Sequence, residues 1–443
     1  MSDWSAGQLA DSIAALDAGV SVNAEDRPHG AGEIGVLKTS AVSGGRFIPE
    51  QNKTVLEVER RLVAEPVRGD SILVSRMNTP ALVGESCYVR EPHPTLFLPD
   101  RLWQLKPKGT VQVSMRWLSY LLQSGAYRRY VEVHATGTSG TMKNLPKSKL
   151  LSLPVRYPPE DEQIRIAQIL DTLDTAIQET EAIIAKLKAV KQGLLHDLLT
   201  RGIDDNGELR PPRSASPDLY QHTSIGWVPQ GWEVKPLSNL LARVDPAMRS
   251  GPFGSALLKY ELVPAGYPLL GIDNVFTERF VAEYTRFVTR SKYQQLQRYA
   301  VRPSDLMITI MGTVGRCCLV PDDIGAALSS KHTWTITLDQ SLYSPYLAML
   351  QINYSPWVLN HFSRDQQGGT MSAIRSETIR STPLPVPPLG EQRLMEERLR
   401  EVSRRIALEG LQMAKQRQEK AGLMDDLLTG RVRVTPLLEP TAT

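Results

Sequence analysis

Two long stretches of the chain place apolar residues alternately four and three positions apart. The first begins near Asp161, just after Pro158 and Pro159, and the second runs from about Glu391 to Thr429. Proline disfavours helix in the residue before it, and acidic side chains suit the positive end of a helix that starts there. The pattern therefore predicts two long helices, each with the apolar face of a coiled-coil seam. The predicted seam residues are Ile166, Leu170, Leu173, Ile177, Ile184, Leu187, Leu194 and Leu198 in the first helix, and Met395, Leu399, Val402, Ile406, Met413, Leu423 and Leu427 in the second.

Polar residues interrupt both seams. Thr180 and Lys191 break the first, and Glu409, Gln416 and Lys420 break the second. The breaks in the second helix either weaken its pairing or mark where a partner protein packs. At a rise of about 1.5 Å per residue, each helix exceeds what one small domain can cover. We therefore expect the helices to pair with each other and to join two domains.

The second half of the chain repeats the first at an offset of 229 residues. Over residues 140–200, about a third of the positions are identical, against roughly one in fifteen expected from average residue usage. This duplication predicts a pseudo-symmetric protein. The shared motifs are GTM at 140–142 and 369–371, PP at 158–159 and 387–388, EQ at 162–163 and 391–392, and DLLT at 197–200 and 426–429.

Short β-type runs separated by turn residues precede each helix. They include DSILVSRM and ESCYVRE in the first half, and DLMITIMGTVG and TWTITL in the second. The predicted fold class is α+β, with two strand-rich domains separated by a pair of long antiparallel helices in a pseudo-twofold repeat. The predicted division is a first domain at 1–158, a helix at 159–203, an exposed linker at 204–223, a second domain at 224–387, a helix at 388–430 and a tail at 431–443.

Composition excludes several classes of protein. With 41% hydrophobic and 22% charged residues, the chain is typical of a globular protein, and its net charge of +3 permits nucleic-acid binding without requiring it. The N-terminal region lacks the apolar core of a secretory signal, and no run approaches the roughly 18 apolar residues of a membrane span. We expect a cytoplasmic protein. Cys87, Cys317 and Cys318 lack metal-site spacing, so we expect buried thiols and no metal site.

Catalytic motifs are missing from the sequence. An adenine methyltransferase usually carries a [DNS]PP[YFW] loop, whereas the double prolines here stand in YPPE and VPPL and start helices. No GxxxxGK[ST] phosphate loop is present, and GTVGR at 312–316 is better explained as a tight turn. We therefore expect a non-catalytic chain that binds no cofactor itself.

The duplicated motifs resemble those of a known family. LPVRYPPEDEQ and LPVPPLGEQ before the helices, the DLLT endings, and SIGWVPQGWEVKPLSNLL at 224–241 are similar to the specificity subunit of Type I restriction-modification systems. SGPFGS at 250–255 and DSILVSRMNTPALVGES at 70–86 are typical of that family's target-recognition domains. One departure is that the first domain has Trp4 alone where the second has two GW segments, which suggests a shortened start.

The resemblance implies a function in recognising double-stranded DNA. Each target-recognition domain would read one part of a split, asymmetric site. The antiparallel helices would carry two methyltransferase subunits, which hold S-adenosylmethionine, and through them the restriction subunits, which use ATP and Mg. No membrane partner is implied. Three alternatives remain: an adaptor that does not touch DNA, a catalytic part of a fused enzyme, and a subunit serving methylation without restriction.

Loops with basic and amide side chains are the candidate DNA contacts. Lysine and arginine suit phosphates, while arginine reads guanine and asparagine or glutamine reads adenine. One set of loops follows the strands DSILVS and DLMITI, and the other precedes the helices; Arg76 and Arg316 are taken as occupying matching places. The candidates are Arg76, Asn78, Thr79, Arg101, Lys143, Asn144, Thr313, Arg316, Lys331, Gln366, Gln367 and Arg375, with Thr138 and Ser139 beside them.

Overall fold

The computed structural model describes residues 4–137, 141–366 and 374–437. The chain divides into two compact units, Met1–Ala182 with Gly410–Thr443, and Ile183–Glu409. Each unit combines one strand-rich half of the sequence with part of both long helices. The mixed α and β content and the repeated plan confirm the predicted fold class. The domain limits proposed from the sequence remain a prediction.

The first unit contains two larger sheets and several short helices. Its strands are β1 (Ser5–Gln8), β2 (Ile13–Ala18), β3 (Ala24–Glu25), β4 (Gly35–Leu37), β5 (Val42–Ser43), β6 (Arg46–Phe47), β7 (Asn52–Val55), β8 (Pro66–Val67), β9 (Ser71–Ser75), β10 (Met77–Asn78), β11 (Ser86–Val89), β12 (His93–Phe97), β13 (Leu102–Pro107), β14 (Lys143–Asn144) and β15 (Pro154–Tyr157). One sheet has the antiparallel order β11–β9–β13–β2, and the other has the order β3–β7–β4–β12–β8. Its short helices are α1 (Leu9–Ser12), α2 (Met115–Leu121), α3 (Gly125–His134) and α4 (Lys147–Leu151).

The second unit repeats the four-stranded sheet of the first, and we call these two sheets the central sheets. Its strands are β16 (Tyr220–Thr223), β17 (Gly226–Pro229), β18 (Glu233–Pro236), β19 (Met248–Ser250), β20 (Tyr267–Leu270), β21 (Val275–Phe276), β22 (Arg279–Phe280), β23 (Phe287–Val288), β24 (Leu306–Thr309), β25 (Cys317–Leu319), β26 (Leu328–Ser329), β27 (Thr333–Ile336) and β28 (Pro383–Val386). The order β19–β27–β24–β25 matches the four-stranded sheet of the first unit, and β23–β20–β26 forms a smaller sheet. The long helices are α5 (Glu160–Thr200) and α10 (Leu389–Leu428), and the others are α6 (Arg290–Gln295), α7 (Pro345–Tyr354), α8 (Pro356–Gln366) and α9 (Ser376–Arg380).

Both central sheets are buried on two sides. In β9, Ile72 and Val74 face a core shared with helices, whereas Leu73 faces a core shared with the five-stranded sheet. In β24, Leu306 and Met307 likewise join different cores. Successive side chains of a strand point to opposite faces, so burial on both sides requires the continuous apolar runs SILV and LMIT. The three cysteines are buried among these apolar residues, as predicted.

The predicted seam residues are all at least partly buried. Six of them belong to the domain cores, and most of the others are half-buried. The fully buried ones are Ile166, Leu170, Ile177, Leu198, Met395, Leu399 and Leu427. The half-buried ones are Leu173, Ile184, Leu187, Leu194, Val402, Ile406, Met413 and Leu423. Along the part of the chain that the structure describes, no helix is long and apolar enough to span a membrane.

Four of the five polar residues that interrupt the seams bind partners within their own unit. Thr180 donates a hydrogen bond to Gln416 Oε1 at 3.2 Å, and Lys420 Nζ lies 2.5 Å from Asp174. Lys191 Nζ lies 2.6 Å from Glu278 in the second unit. Two of the predicted breaks in the second helix, Gln416 and Lys420, are therefore contacts between α5 and α10, since buried polar groups require partners.

A buried glutamate near the start of α5 forms what we call the first latch. Glu162 accepts a hydrogen bond from Trp4 Nε1 at 3.4 Å and from Thr435 Oγ1 at 2.9 Å. The Arg433 guanidinium binds both of its carboxylate oxygens, with Nε 3.0 Å from Oε2. Trp4 lies at the beginning of the first domain, and Arg433 and Thr435 follow α10. One carboxylate therefore joins the beginning of the domain, α5 and the tail.

The second latch repeats this arrangement at the start of α10. Glu391 accepts a hydrogen bond from Trp232 Nε1 at 3.0 Å and from the backbone N–H of Ile203 at 2.8 Å. The Arg210 guanidinium binds both carboxylate oxygens, with one contact of 2.9 Å. The linker was predicted to be exposed, and this was wrong at Arg210, because a buried carboxylate requires a charged partner.

The strands that follow Trp4 and Trp232 pair in the same way in the two units. After Trp4, β1 pairs antiparallel with β15, just as β18 after Trp232 pairs with β28. Glycine follows both helices with positive φ, at Gly202 (φ 64°) and Gly430 (φ 71°). A Cβ on Gly202 would lie 2.0 Å from Glu391 Oε1, so the latch needs glycine there.

The first latch leads to a prediction about stability. In Arg433→Met the Glu162 carboxylate loses its charged partner while its side chain stays buried, at 3% exposure. We expect the free energy of unfolding of the purified chain to fall by roughly 3 kcal/mol, measured by urea denaturation. The control is Arg431→Met in the same tail, whose exposed pairs with Asp425 and Asp426 should contribute less than about 1 kcal/mol.

Lowering the pH should reduce the difference in the free energy of unfolding between wild type and Arg433→Met. Arg433 holds the pKa of Glu162 below its usual value of 4.5. A carboxyl group with a lowered folded-state pKa contributes stability above its unfolded-state pKa and loses it as the pH falls through the folded-state pKa. Equal losses for Arg433→Met and Arg431→Met at pH 7 would contradict the latch.

Candidate nucleic-acid interface

Arg76 and Arg101 lie side by side at one end of the first central sheet. Arg76 directly follows β9, and Arg101 directly precedes β13. The backbone N–H of Arg76 donates to the carbonyl of Arg101 at 3.0 Å. Two candidate DNA contacts that are 25 positions apart in sequence therefore occupy one edge of the sheet.

The two predicted sets of loops in the first domain meet at the same edge. Strand β10 pairs antiparallel with β14, so that Asn78 lies opposite Lys143, and Met77 lies opposite Asn144. The backbone N–H of Leu145 donates to the carbonyl of Arg76 at 2.8 Å. We call the resulting group the first-domain cluster; its members are Arg76, Asn78, Thr79, Arg101, Lys143 and Asn144.

Members of the first-domain cluster differ in whether their side chains already contact other groups of the protein. The Arg76 guanidinium lies over the Trp103 ring at 5.4 Å, and the Asn78 amide nitrogen donates to Ser75 Oγ at 3.2 Å. Lys143 Nζ donates to the carbonyl of Gly137 at 3.1 Å. Arg101 and Thr79 are exposed. The cluster thus presents the exposed cation of Arg101, while Arg76, Asn78 and Lys143 make contacts within the protein.

In the second domain, Thr313 and Arg316 lie in the turn that connects β24 and β25. Gly315 N–H donates to the carbonyl of Thr309 at 2.8 Å, and Thr309 N–H donates to that of Arg316 at 2.9 Å. Gly312 and Gly315 have φ values of 72° and 87°. The tight turn expected from GTVGR is confirmed. Thr313 is exposed, and the Arg316 guanidinium lies 5.3 Å from the centre of the Phe276 ring.

Arg76 and Arg316 do not occupy matching places, contrary to the sequence interpretation. Ile310 N–H donates to the carbonyl of His332 at 3.1 Å, which reproduces the bond from Arg76 to Arg101. Ile310 is therefore the counterpart of Arg76, and His332 that of Arg101. Arg76 directly follows β9, whereas Arg316 directly precedes β25, so the two arginines lie at opposite ends of their turns.

The remaining candidates of the second domain are partly described. Lys331 is exposed beside His332 in the turn before β27. Arg375 is exposed and is the N-cap residue of α9. Gln366 is the last residue of α8, and its side chain lies outside the described residues, as do Gln367, Thr138 and Ser139.

Sequence reasoning missed two cationic residues near Lys331. Lys259 and Arg286 line the same cavity as Lys331 and His332. Burial lowers the pKa of His332, and the nearby charges of Lys331 and Arg286 lower it further. No spacing in the sequence connects these residues, because they come from three separate segments. The motif SGPFGS, which borders the cavity, was the one available signal.

Comparison with known proteins gives a consistent assignment. The family model described as Type I restriction modification DNA specificity domain matches residues 1–189 and 263–416. The specificity subunit of the Type I restriction enzyme MjaVIII from Methanocaldococcus jannaschii is 25% identical over 307 residues, which cover 68% of this chain and 67% of that protein. The putative MjaX specificity subunit from the same organism is 22% identical over 442 residues, covering 98% and 94% of the two chains.

A solved structure supports the fold. The S subunit of a Type I restriction-modification system from M. genitalium superposes with a TM-score of 0.57 at 14% identity, and 96% of each chain is covered. At this identity the likeness concerns the fold alone. Because the family model matches more than half of the chain, the protein belongs to the Type I restriction modification DNA specificity family.

Proposed function

We propose that this chain is the DNA-recognition subunit of a Type I restriction-modification complex, and that each strand-rich domain reads one half of a split, asymmetric DNA site. The repeated latch is the observation that carries this proposal. Glu162 and Glu391 each fix one recognition domain to the start of one long helix through an equivalent tryptophan. Two domains attached in the same way, with different edge residues, are suited to two different half-sites.

We further propose that the helices carry the partner subunits. Both helices keep apolar side chains exposed although their seams are buried; Ile183, Val190, Leu394, Leu408 and Leu411 are between 40% and 69% exposed. Exposed apolar side chains that recur along a helix favour a protein partner. The partners would be two methyltransferase subunits that hold S-adenosylmethionine and, through them, restriction subunits that use ATP and Mg. The chain itself would be non-catalytic.

A domain exchange tests the proposal. We would replace residues 9–153 by the corresponding segment of a relative, which leaves Trp4, β1, β15 and Glu162 in place. When the chimera is expressed with the methyltransferase subunit that partners this chain, the methylated motif should change in one half only. A mismatched base pair typically costs about 1 to 3 kcal/mol, so modification at the old sites should be almost lost. The measurement is genome-wide detection of methylated adenine.

The reciprocal chimera, with residues 237–382 replaced, is the matched control and should change the other half. It likewise retains Trp232, β18 and β28. Altered bases in both halves after a single exchange would contradict the division of labour between the domains.

Arg101 and Arg316 give a second prediction at the level of single side chains. Arg101→Ala should relax or abolish recognition in the first half-site, and Arg316→Ala in the second. Each lost contact to a base should reduce the binding free energy by about 1 to 3 kcal/mol. Methylated motifs and binding to matched and mismatched duplexes measure this. Arg61→Ala, an exposed arginine elsewhere on the first domain, is the control. Equal weakening on all sequences would contradict base reading.

A further inference from the structure

A cavity of about 440 Å³ lies within the second domain, between the SGPFGS segment and the turn before β27. Three segments of the chain supply its cationic side chains. Lys259 comes from the turn at Lys259–Glu261, Arg286 stands just before β23, and Lys331 comes from the turn before β27. Cations brought together from distant parts of the sequence repel one another, so their convergence favours an anionic ligand.

Neighbouring acids leave part of this positive charge uncompensated. Asp273 pairs with Arg286, and Glu261 pairs with Lys292 at 2.6 Å. Over residues 4–137, 141–366 and 374–437, neither Lys259 nor Lys331 takes part in an ion pair. The Nε atom of Arg286 is buried and has no hydrogen-bond partner in that same part of the chain.

His332 lines the same cavity as these charges. Its pKa lies below the usual 6.5, because burial disfavours the charged ring and because Lys331 and Arg286 are near. The imidazole is therefore neutral at pH 7 and can donate one hydrogen bond without adding to the repulsion. An oxygen-rich anion can accept this bond in addition to the stronger, charge-assisted bonds of lysine.

The wall of the cavity is built in advance of any ligand. Gly251 N–H donates to the carbonyl of Ser330 at 3.1 Å, and a Cβ on Gly251 would lie 2.1 Å from the carbonyl oxygen of Ser329. Glycine is required for this close approach of the two segments.

We propose that this cavity, which we call the phosphate pocket, binds a phosphodiester of the DNA backbone and contributes affinity without reading bases. The proposal rests on the proposed function. Lysine binds phosphate as a point charge, whereas base reading favours the paired donors and acceptors of arginine, asparagine and glutamine. Arg286 is held by Asp273, and no asparagine or glutamine lines the pocket among the described residues.

The first domain has the opposite charge at the corresponding position. Since Arg101 is the counterpart of His332, Asp100 is that of Lys331, and Asp100 accepts a hydrogen bond from Ser21 Oγ at 2.8 Å. The phosphate pocket is therefore a property of the second domain, and the two domains differ in how they hold the DNA backbone.

Salt dependence of binding tests the phosphate pocket. The assembled complex with methyltransferase would be titrated onto a duplex carrying its methylated motif between about 50 and 200 mM salt. Losing one phosphate contact reduces the slope of log K against log salt by about 0.9. Lys331→Gln should therefore bind more weakly at low salt, and its deficit relative to wild type should shrink about 3.5-fold over this range. Lys259→Gln/Lys331→Gln should lower the slope further.

Arg290→Gln is the matched control, because it removes one exposed positive charge from the same domain outside the pocket. Its slope should change less than that of Lys331→Gln, and the methylated motif should be the same in all variants. The pocket would be overturned if the slope for Lys331→Gln equalled that of wild type, or if the slope fell no more in Lys331→Gln than in Arg290→Gln. A changed base in the motif would reassign Lys331 to base reading and also overturn it. Wild type without preference for its motif would overturn the proposed function itself.

Discussion

A buried carboxylate held by a tryptophan and an arginine is the interaction on which both halves of this protein depend. Glu162 and Glu391 are the glutamates of the duplicated EQ motif, and each sits in the first turn of a long helix. A charge removed from water is tolerated only with charged and hydrogen-bonding partners. The partners here come from the domain before the helix and from the segment after the other helix, so separate parts of the chain are fixed at one point.

The glutamine of the same motif extends this junction to the recognition domains. Gln163 accepts a hydrogen bond from Ser114 N–H at 2.9 Å, and Gln392 accepts one from Ser344 N–H at 2.8 Å. Ser114 and Ser344 are the N-cap residues of α2 and α7, whose side chains accept backbone N–H bonds. Two adjacent polar residues thus orient a long helix and a domain helix together. This explains why the motif recurs at the same spacing while the domain edges have diverged.

The long helices were predictable because their signal is local. Apolar spacing and the proline pairs placed the start of α5 within one residue of its observed position at Glu160. The edge of the first domain was only partly predictable, since the pairing of Asn78 with Lys143 joins residues 65 positions apart. The match between Arg76 and Arg316 failed because Arg76 stands at the start of its turn and Arg316 at the end of its turn, and sequence alone does not show which turn residue faces the neighbouring strand. The contact between Arg210 and Glu391 was not predicted, because the turn residues of the linker indicated only an exposed segment.

The most direct test of a chain with two separately fixed reading domains is the methylome of a cell that expresses it with its methyltransferase. If each domain reads its own half-site, methylated adenines should lie in a motif of two different specified parts separated by a run of unspecified bases. Each part should keep its own sequence at every modified position in the genome. A single uninterrupted motif, or two identical parts, would contradict the account, because two unlike domain edges would then have no separate roles.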